Sequence, residues 1–98
     1  MTELAERRAG GALLIDVRQP DEWEEFRAPG AVLIPLGEVP ERVEEIPSVE
    51  TVYVICRSGS RSAKAVEFLL AQGYDAVNVA GGSLAWQQAG FPVESGPA

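Results

Sequence analysis

The sequence predicts a compact α/β domain whose sheet is buried on both faces. Three observations carry that prediction: four short apolar runs rich in Val, Ile and Leu, helix-like stretches between them, and a length of 98 residues with 46% hydrophobic content. That length supports one core and leaves no room for a second domain, so residues 1–98 are read as a single domain. The runs are residues 12–17, 32–34, 52–56 and 76–79, each too short for a helix and each near Gly, Pro or Asp. All four read as buried strands, parallel wherever a helix intervenes between two of them.

The helices follow in order. Residues 20–26 place Pro20 and the acids Asp21 and Glu22 in a first helical turn, with Trp23 and Phe26 on one face. Residues 38–46 repeat the idea with Val39, Val43 and Ile46 as the apolar stripe. Residues 62–72 form the best helix of the chain, with Ser62 as its start, Ala63, Val66, Leu69 and Leu70 at helical spacing, and Gly73 as its stop. Gly82-Ser83 opens a last short helix through Ala89, ended by Gly90 and Pro92. Beyond Val93 the chain is rich in Gly, Pro and Ser, and residues 94–98 are expected to form a flexible tail. Internal repeats, low-complexity segments and linkers are absent from the sequence.

Composition excludes several functions. Fifteen acids against eight Lys and Arg give a net charge of -7, which argues against a nucleic-acid partner because phosphate contacts need clustered cations. His is absent and Cys occurs once, so neither a Ser-His-Asp or Cys-His mechanism nor a Cys/His zinc site is complete within the chain, and no metal or cofactor is expected. A single Cys permits no internal disulfide. Residues 1–8 carry acids where a signal peptide carries a basic start and an apolar stretch, and no later segment approaches the roughly 18 apolar residues of a membrane span. The expected location is therefore the cytoplasm, without a membrane partner.

Local charge runs the other way. Residues 51–66 contain no Asp or Glu but hold Arg57, Arg61 and Lys64, centred on Cys56-Arg57-Ser58-Gly59-Ser60-Arg61. This segment joins the C-terminal end of a strand to the N-terminus of the best helix. Open α/β sheets bind ligands at that edge, and a helix N-terminus offers unpaired N–H groups. A Cys56 thiol placed there beside two guanidinium groups has its thiolate favoured by charge and by hydrogen bonds, without a His. The same amides would hold an anion, or a negative sulfur attached to Cys56. A lone Cys ending an apolar strand is by itself more often a small buried hydrophobe, but Gly59 and the two arginines of the loop reverse that expectation. Arg57 is expected at the ligand, and Arg61 to pin the loop through its fixed fork of donors.

These residues resemble the rhodanese family of sulfurtransferases. Leu14-Ile15-Asp16-Val17-Arg18 with Glu22-Trp23 resembles the family's first signature, and Pro29-Gly30-Ala31 with Ile34-Pro35-Leu36 its second. Residues 53–56, the loop through Arg61 and Ser62-Ala63 resemble the third; Gly81-Gly82, Trp86 and Gly90-Phe91-Pro92 resemble the closing one. The resemblance implies a central, mostly parallel sheet with helices on both faces, and a Cys56 that carries sulfur as a persulfide. It implies thiosulfate as donor, because in the family a cation directly after the Cys, here Arg57, goes with that anion. The acceptor would be a thiol or cyanide. Four residues separate Cys56 from Arg61, as in sulfur-transferring members, whereas related phosphatases have five, so a small phosphatase is a minor alternative. A second alternative is a sulfur-relay module in which a protein partner supplies or receives the sulfur. Where the family commonly has Gly-His, this chain has Phe26-Arg27-Ala28, a departure expected to touch local packing or substrate approach rather than the persulfide step.

Several features have plainer explanations. Asp16, Arg18 and Glu22 read as a supporting charge network at the end of the first strand, structural in preference to substrate-binding. Trp23 and Trp86 read as core, although an entrance to the site is the alternative. Gly81-Gly82 lacks the Lys and the glycine spacing of a nucleotide loop and reads as a turn bringing backbone close to the Cys56 loop. The acid-rich residues 38–50 read as a solvated face rather than a docking surface.

Overall fold

The computed structural model describes residues 4, 6, 12–47 and 50–97. Strands β1 (Leu13–Asp16), β2 (Val32–Leu33), β3 (Val52–Ile55) and β4 (Ala76–Asn78) form one sheet in the order β2-β1-β3-β4, and each neighbouring pair is parallel. The helices are α1 (Pro20–Glu25), α2 (Val39–Arg42), α3 (Ser60–Ala71) and α4 (Gly82–Gln88), with 3-10 turns Leu36–Glu38 and Val43–Glu45 on either side of α2.

Side chains alternate across the sheet, as a period of two requires. On one face Ile15, Val52, Val54 and Cys56 pack with Ala65 and Leu69 of α3 and with Val39 and Ile46. On the other, Leu14, Tyr53 and Ile55 pack with Ala28, Val79 and Trp86 of α4. Both tryptophans are core: Trp23 and Trp86 are buried, and the Trp86 indole N–H donates to the Pro92 carbonyl at 2.8 Å.

The strands exist where the apolar runs predict them, but only the central two are buried. β2 and β4 are the sheet edges, and Val32 and Val77 are 43% and 36% exposed. A short apolar run carries no information on which strand ends the sheet. Residues 38–46 are not one α-helix: Pro40 sits in the first turn of α2, which starts at Val39 and gives way after Arg42 to a 3-10 turn. The predicted stripe nevertheless faces the core, and the Tyr74 hydroxyl lies 2.9 Å from the Val43 carbonyl and 2.8 Å from that of Ile46.

Helix α3 starts two residues before Ser62. Gly59, at φ 111°, occupies the N-cap position, and Ser62 lies inside the helix. Its end follows the predicted glycine stop: Gly73 at φ 91° lets the Tyr74 N–H reach the Leu69 carbonyl (3.0 Å) and the Gly73 N–H that of Leu70 (3.1 Å).

The segment after Val93 is hydrogen-bonded to the end of α1 as far as Gly96. Arg27 and Glu94 exchange backbone hydrogen bonds of 2.8 and 2.9 Å, and the Gly96 N–H donates to the Glu24 carbonyl at 2.7 Å. The cause is Arg27, whose buried guanidinium lies over the Trp23 ring and donates to the carbonyls of Trp23 (2.9 Å) and Gly96 (2.7 Å). Ala98 lies outside the described residues, as does the run 1–8 apart from Leu4 and Glu6. Among the described residues no helix is long and apolar enough to cross a membrane.

Candidate active site

Cys56 is the first residue after β3, at the carboxyl end of a central strand. Strand alternation turns it, like Val52 and Val54, toward α3, and its side chain is fully buried. The chain then turns through Arg57, Ser58 and Gly59 into α3. The Gly59 N–H donates to Cys56 Sγ at 3.0 Å, and the Ser62 hydroxyl lies 3.4 Å from the same sulfur.

The loop is held from behind by α4. The Ser83 N–H donates to the Cys56 carbonyl (2.8 Å) and the Leu84 N–H to the Arg57 carbonyl (3.1 Å). In a trans peptide the N–H points opposite to the C=O, so the amides of Arg57 and Ser58 are turned away from α4. Gly82 makes the close approach possible: at φ 60°, an added Cβ would lie 2.4 Å from the Cys56 carbonyl oxygen and 2.5 Å from that of Arg57. Gly81-Gly82 is therefore the close-approach turn the sequence suggested.

Burial is the largest influence on the Cys56 thiol and pushes its pKa up, but it is outweighed. The Ser62 hydroxyl and the N–H groups of Ser62, Gly59 and Ser58 favour the thiolate, and the net shift is below the ordinary thiol value. The sequence assigns this activation partly to guanidinium charge, and Arg61 does attract the Cys56 thiolate, but both arginines of the loop stand beside carboxylates and the hydrogen bonds lead. Arg61 forks onto Glu22, donating to its two carboxylate oxygens at 2.6 and 2.8 Å. This hydrogen bonding, opposed by burial and helped by the Gln19 N–H, lowers the Glu22 pKa to about 2. Arg57 is exposed, with a Glu25 oxygen 4.0 Å from its guanidinium. Ser58 and Ser60 are exposed on the loop, and Lys64 is exposed one turn along α3 from Ser60.

Asp16, Arg18 and Glu22 lie in two linked pairs, Asp16 with Arg18 and Glu22 with Arg61, and the Arg18 charge also helps hold the Glu22 carboxyl down. Asp16 and Arg18 are a fully buried pair, joined by contacts of 2.8 to 3.1 Å. The Arg18 guanidinium also donates to the carbonyls of Phe26 (2.7 Å) and Glu22 (3.3 Å) at the end of α1. It thereby fixes α1 against β1, and α1 carries the Glu22 carboxylate to Arg61. Arg27, in the Phe26-Arg27-Ala28 stretch, packs inside the fold and clasps the tail segment.

Two polar residues at the site escaped the sequence reading. Ser62 is fully buried, with its hydroxyl oxygen 3.2 Å from the Gly59 carbonyl and hydrogen-bonded to Asn78 Oδ1. The Asn78 amide in turn donates from Nδ2 to the Gly59 carbonyl at 3.2 Å. A signal was present: Asn78 sits in the apolar run 76–79 on the same face as buried Ala76, and a polar side chain there needs partners.

Comparison with known proteins bears on the family and the fold. The model of the family described as "Rhodanese-like domain" matches residues 1–89. A sulfurtransferase of Allochromatium vinosum is 42% identical over 82 residues, 83% of this chain and 77% of that protein. The thiosulfate sulfurtransferase PspE of Escherichia coli is 43% identical over 70 residues, 69% of this chain and 67% of its own. The crystal structure of a rhodanese-related protein from Thermoplasma volcanium, 34% identical, superposes with a TM-score of 0.85 over 91% of this chain and 89% of that one.

Proposed function

The chain belongs to the family of rhodanese-like domains, a family of sulfur transfer, and on that premise we propose that Cys56 carries the sulfur between thiosulfate and a thiophilic acceptor. The observation that carries the reading is Cys56 Sγ, at the carboxyl end of β3, accepting a hydrogen bond from the Gly59 N–H at 3.0 Å.

The reaction is a double displacement. The Cys56 thiolate attacks the outer sulfur of thiosulfate; the S–S bond of thiosulfate breaks and its electron pair leaves on sulfite. Cys56 is then a persulfide, with the negative charge on the outer sulfur and the loop amides of residues 57–61 around it. Cyanide or a thiolate attacks that outer sulfur, the Sγ–S bond breaks, and the pair returns to Sγ as the thiolate. Atoms and electrons balance without a cofactor. Arg57 takes the sulfonate end of thiosulfate, Ser58 and Ser60 add hydroxyl donors, and Arg61, held by Glu22, fixes the loop.

The test is mass spectrometry after incubation with thiosulfate. A one-sulfur increment that reductant removes is expected in the wild type and not in Cys56→Ser; an increment retained in Cys56→Ser, or absent from the wild type, overturns the reading. Arg57→Ala is expected to raise the thiosulfate KM more than it alters loading by a neutral persulfide donor. Slow turnover with thiosulfate and cyanide beside rapid exchange with a protein persulfide would instead favour the sulfur relay.

A further inference from the structure

The mechanism above leaves the Ser62 hydroxyl with a choice. Its oxygen lies 3.4 Å from Cys56 Sγ and 3.2 Å from the Gly59 carbonyl, and it is hydrogen-bonded to Asn78 Oδ1, all acceptors toward it. A hydroxyl has one proton and donates to one of them at a time. Asn78 is held in place by its backbone, opposite Val54 in the β3–β4 register, and by its own Nδ2 bond of 3.2 Å to the Gly59 carbonyl. Gly59 is thus gripped at both ends, by Asn78 Nδ2 and the Ala63 N–H (3.2 Å) at its carbonyl and by Cys56 Sγ at its N–H.

We propose that Asn78 is a positioning residue that competes with Cys56 for the Ser62 proton, so that this hydroxyl switches acceptor with the charge on Sγ. When Sγ is a thiolate, its charge draws the proton, because a bond to an ionised acceptor is about twice as strong as a neutral one. When Sγ is a thiol or bears a second sulfur, the charge is gone from it and the proton turns back to Asn78 Oδ1. No proton leaves Ser62 in either direction. Resting on the sulfur-transfer reading, the switch acts at the second displacement: as the Sγ–S bond breaks and the pair returns to Sγ, the hydroxyl rotates onto the departing thiolate. Asn78 acts as a brake, since the proton turned to sulfur leaves two oxygens facing each other.

The experiment is the pH profile of Cys56 alkylation by iodoacetamide in a double-mutant cycle. Ser62→Ala is expected to raise the midpoint by about one pH unit. Asn78→Ala is expected to lower it by roughly half a unit when Ser62 is present, and to lose most of that effect in the Ser62→Ala background, where only its bond to the Gly59 carbonyl remains. An Asn78→Ala shift of the same size in both backgrounds, or none in either, overturns the proposal. Urea denaturation establishes that each variant is folded. If Asn78→Ala is not, Asn78→Asp, of the same shape, carries the test with opposite sign: its upward shift must shrink when Ser62 is Ala, and an equal shift overturns the idea. Discharge of a preformed persulfide by cyanide is expected to slow about tenfold in Ser62→Ala, beyond any change in loading. Alkylation reports the charge on Cys56 without sulfur transfer, so the cycle stands or falls independently of thiosulfate loading. Normal loading beside an additive cycle removes the switch and leaves the proposed function in place.

Discussion

Replacing Glu22 by Gln tests whether α1 holds the Cys56 loop through charge. The Glu22 carboxyl falls from 4.5 to about 2 on folding, chiefly through its hydrogen bonds from Arg61. That difference sets a ceiling of about 3 kcal/mol on what ionised Glu22 contributes. The side chains of Arg61 and Glu22 are 32% and 17% exposed, so water screens the pair, and about 1–2 kcal/mol is the expected loss. For a domain of 98 residues this corresponds to a Tm lower by about 5–10 °C. The sign with pH follows from the direction of the shift. A carboxyl with a depressed folded pKa contributes fully above its unfolded value and loses that contribution as pH falls from about 4.5 toward about 2. Urea denaturation of the wild type and Glu22→Gln across that range should show a gap that is full near neutrality and closes in acid. A gap of the same size at both ends, or none at neutral pH, would refute the reasoning.

Two other substitutions probe the supports of the site. Gly82→Ala combines a φ of 60°, costing a side chain about 1–2 kcal/mol, with a Cβ 2.4 Å from a carbonyl oxygen that cannot rotate away. It should release α4 from the Cys56 and Arg57 carbonyls, lowering stability by about 3 kcal/mol in urea titration and slowing Cys56 alkylation at neutral pH. Arg18→Met leaves Asp16 buried without its partner and should cost about 3–5 kcal/mol, whereas Asp16→Leu with Arg18→Met should recover much of that loss in thermal melts.

What the sequence disclosed is tied to local pattern, and what it concealed depends on partners far along the chain. The strands, the loop between β3 and α3, and the Gly73 stop of α3 are local, and each lies where composition places it. Edge and centre are decided by strand order, so the runs at β2 and β4 gave no warning of their exposure. Ser62 looked like a helix cap because Ser is a good one, but Gly59 already occupied the turn, leaving Ser62 to face sulfur. Arg27 looked like a missing family residue, and its meaning came from the Gly96 carbonyl, 69 residues away. Asn78 was legible only as a polar residue on an apolar face; its partners come from α3 and the loop before it.

The sign of the charge at the loop bears on what it binds. Along the sequence, the cations of residues 51–66 stand apart from the acids that make the net charge -7, as though one positive site were set in a negative surface. The fold brings α1 to that loop, with Glu22 forked onto Arg61 and Glu25 4.0 Å from Arg57. The guanidinium charges therefore have carboxylates beside them before any ligand arrives. What favours the thiolate against the opposing burial is Ser62 and the amides of Gly59 and Ser58. Backbone dipoles fixed in this way need no reorganisation when charge develops at contact distance, while paired surface charges contribute little. Such a site suits charge concentrated on a single sulfur. The two arginines then differ in kind. Arg61 is held at 2.6 Å by a carboxylate that is itself mostly buried, whereas Arg57 and Glu25 are 46% and 63% exposed and barely in contact. On the proposed function, a sulfonate arriving at the loop would draw Arg57 away from Glu25 at small cost, while Arg61 would stay in place to keep the amides aimed.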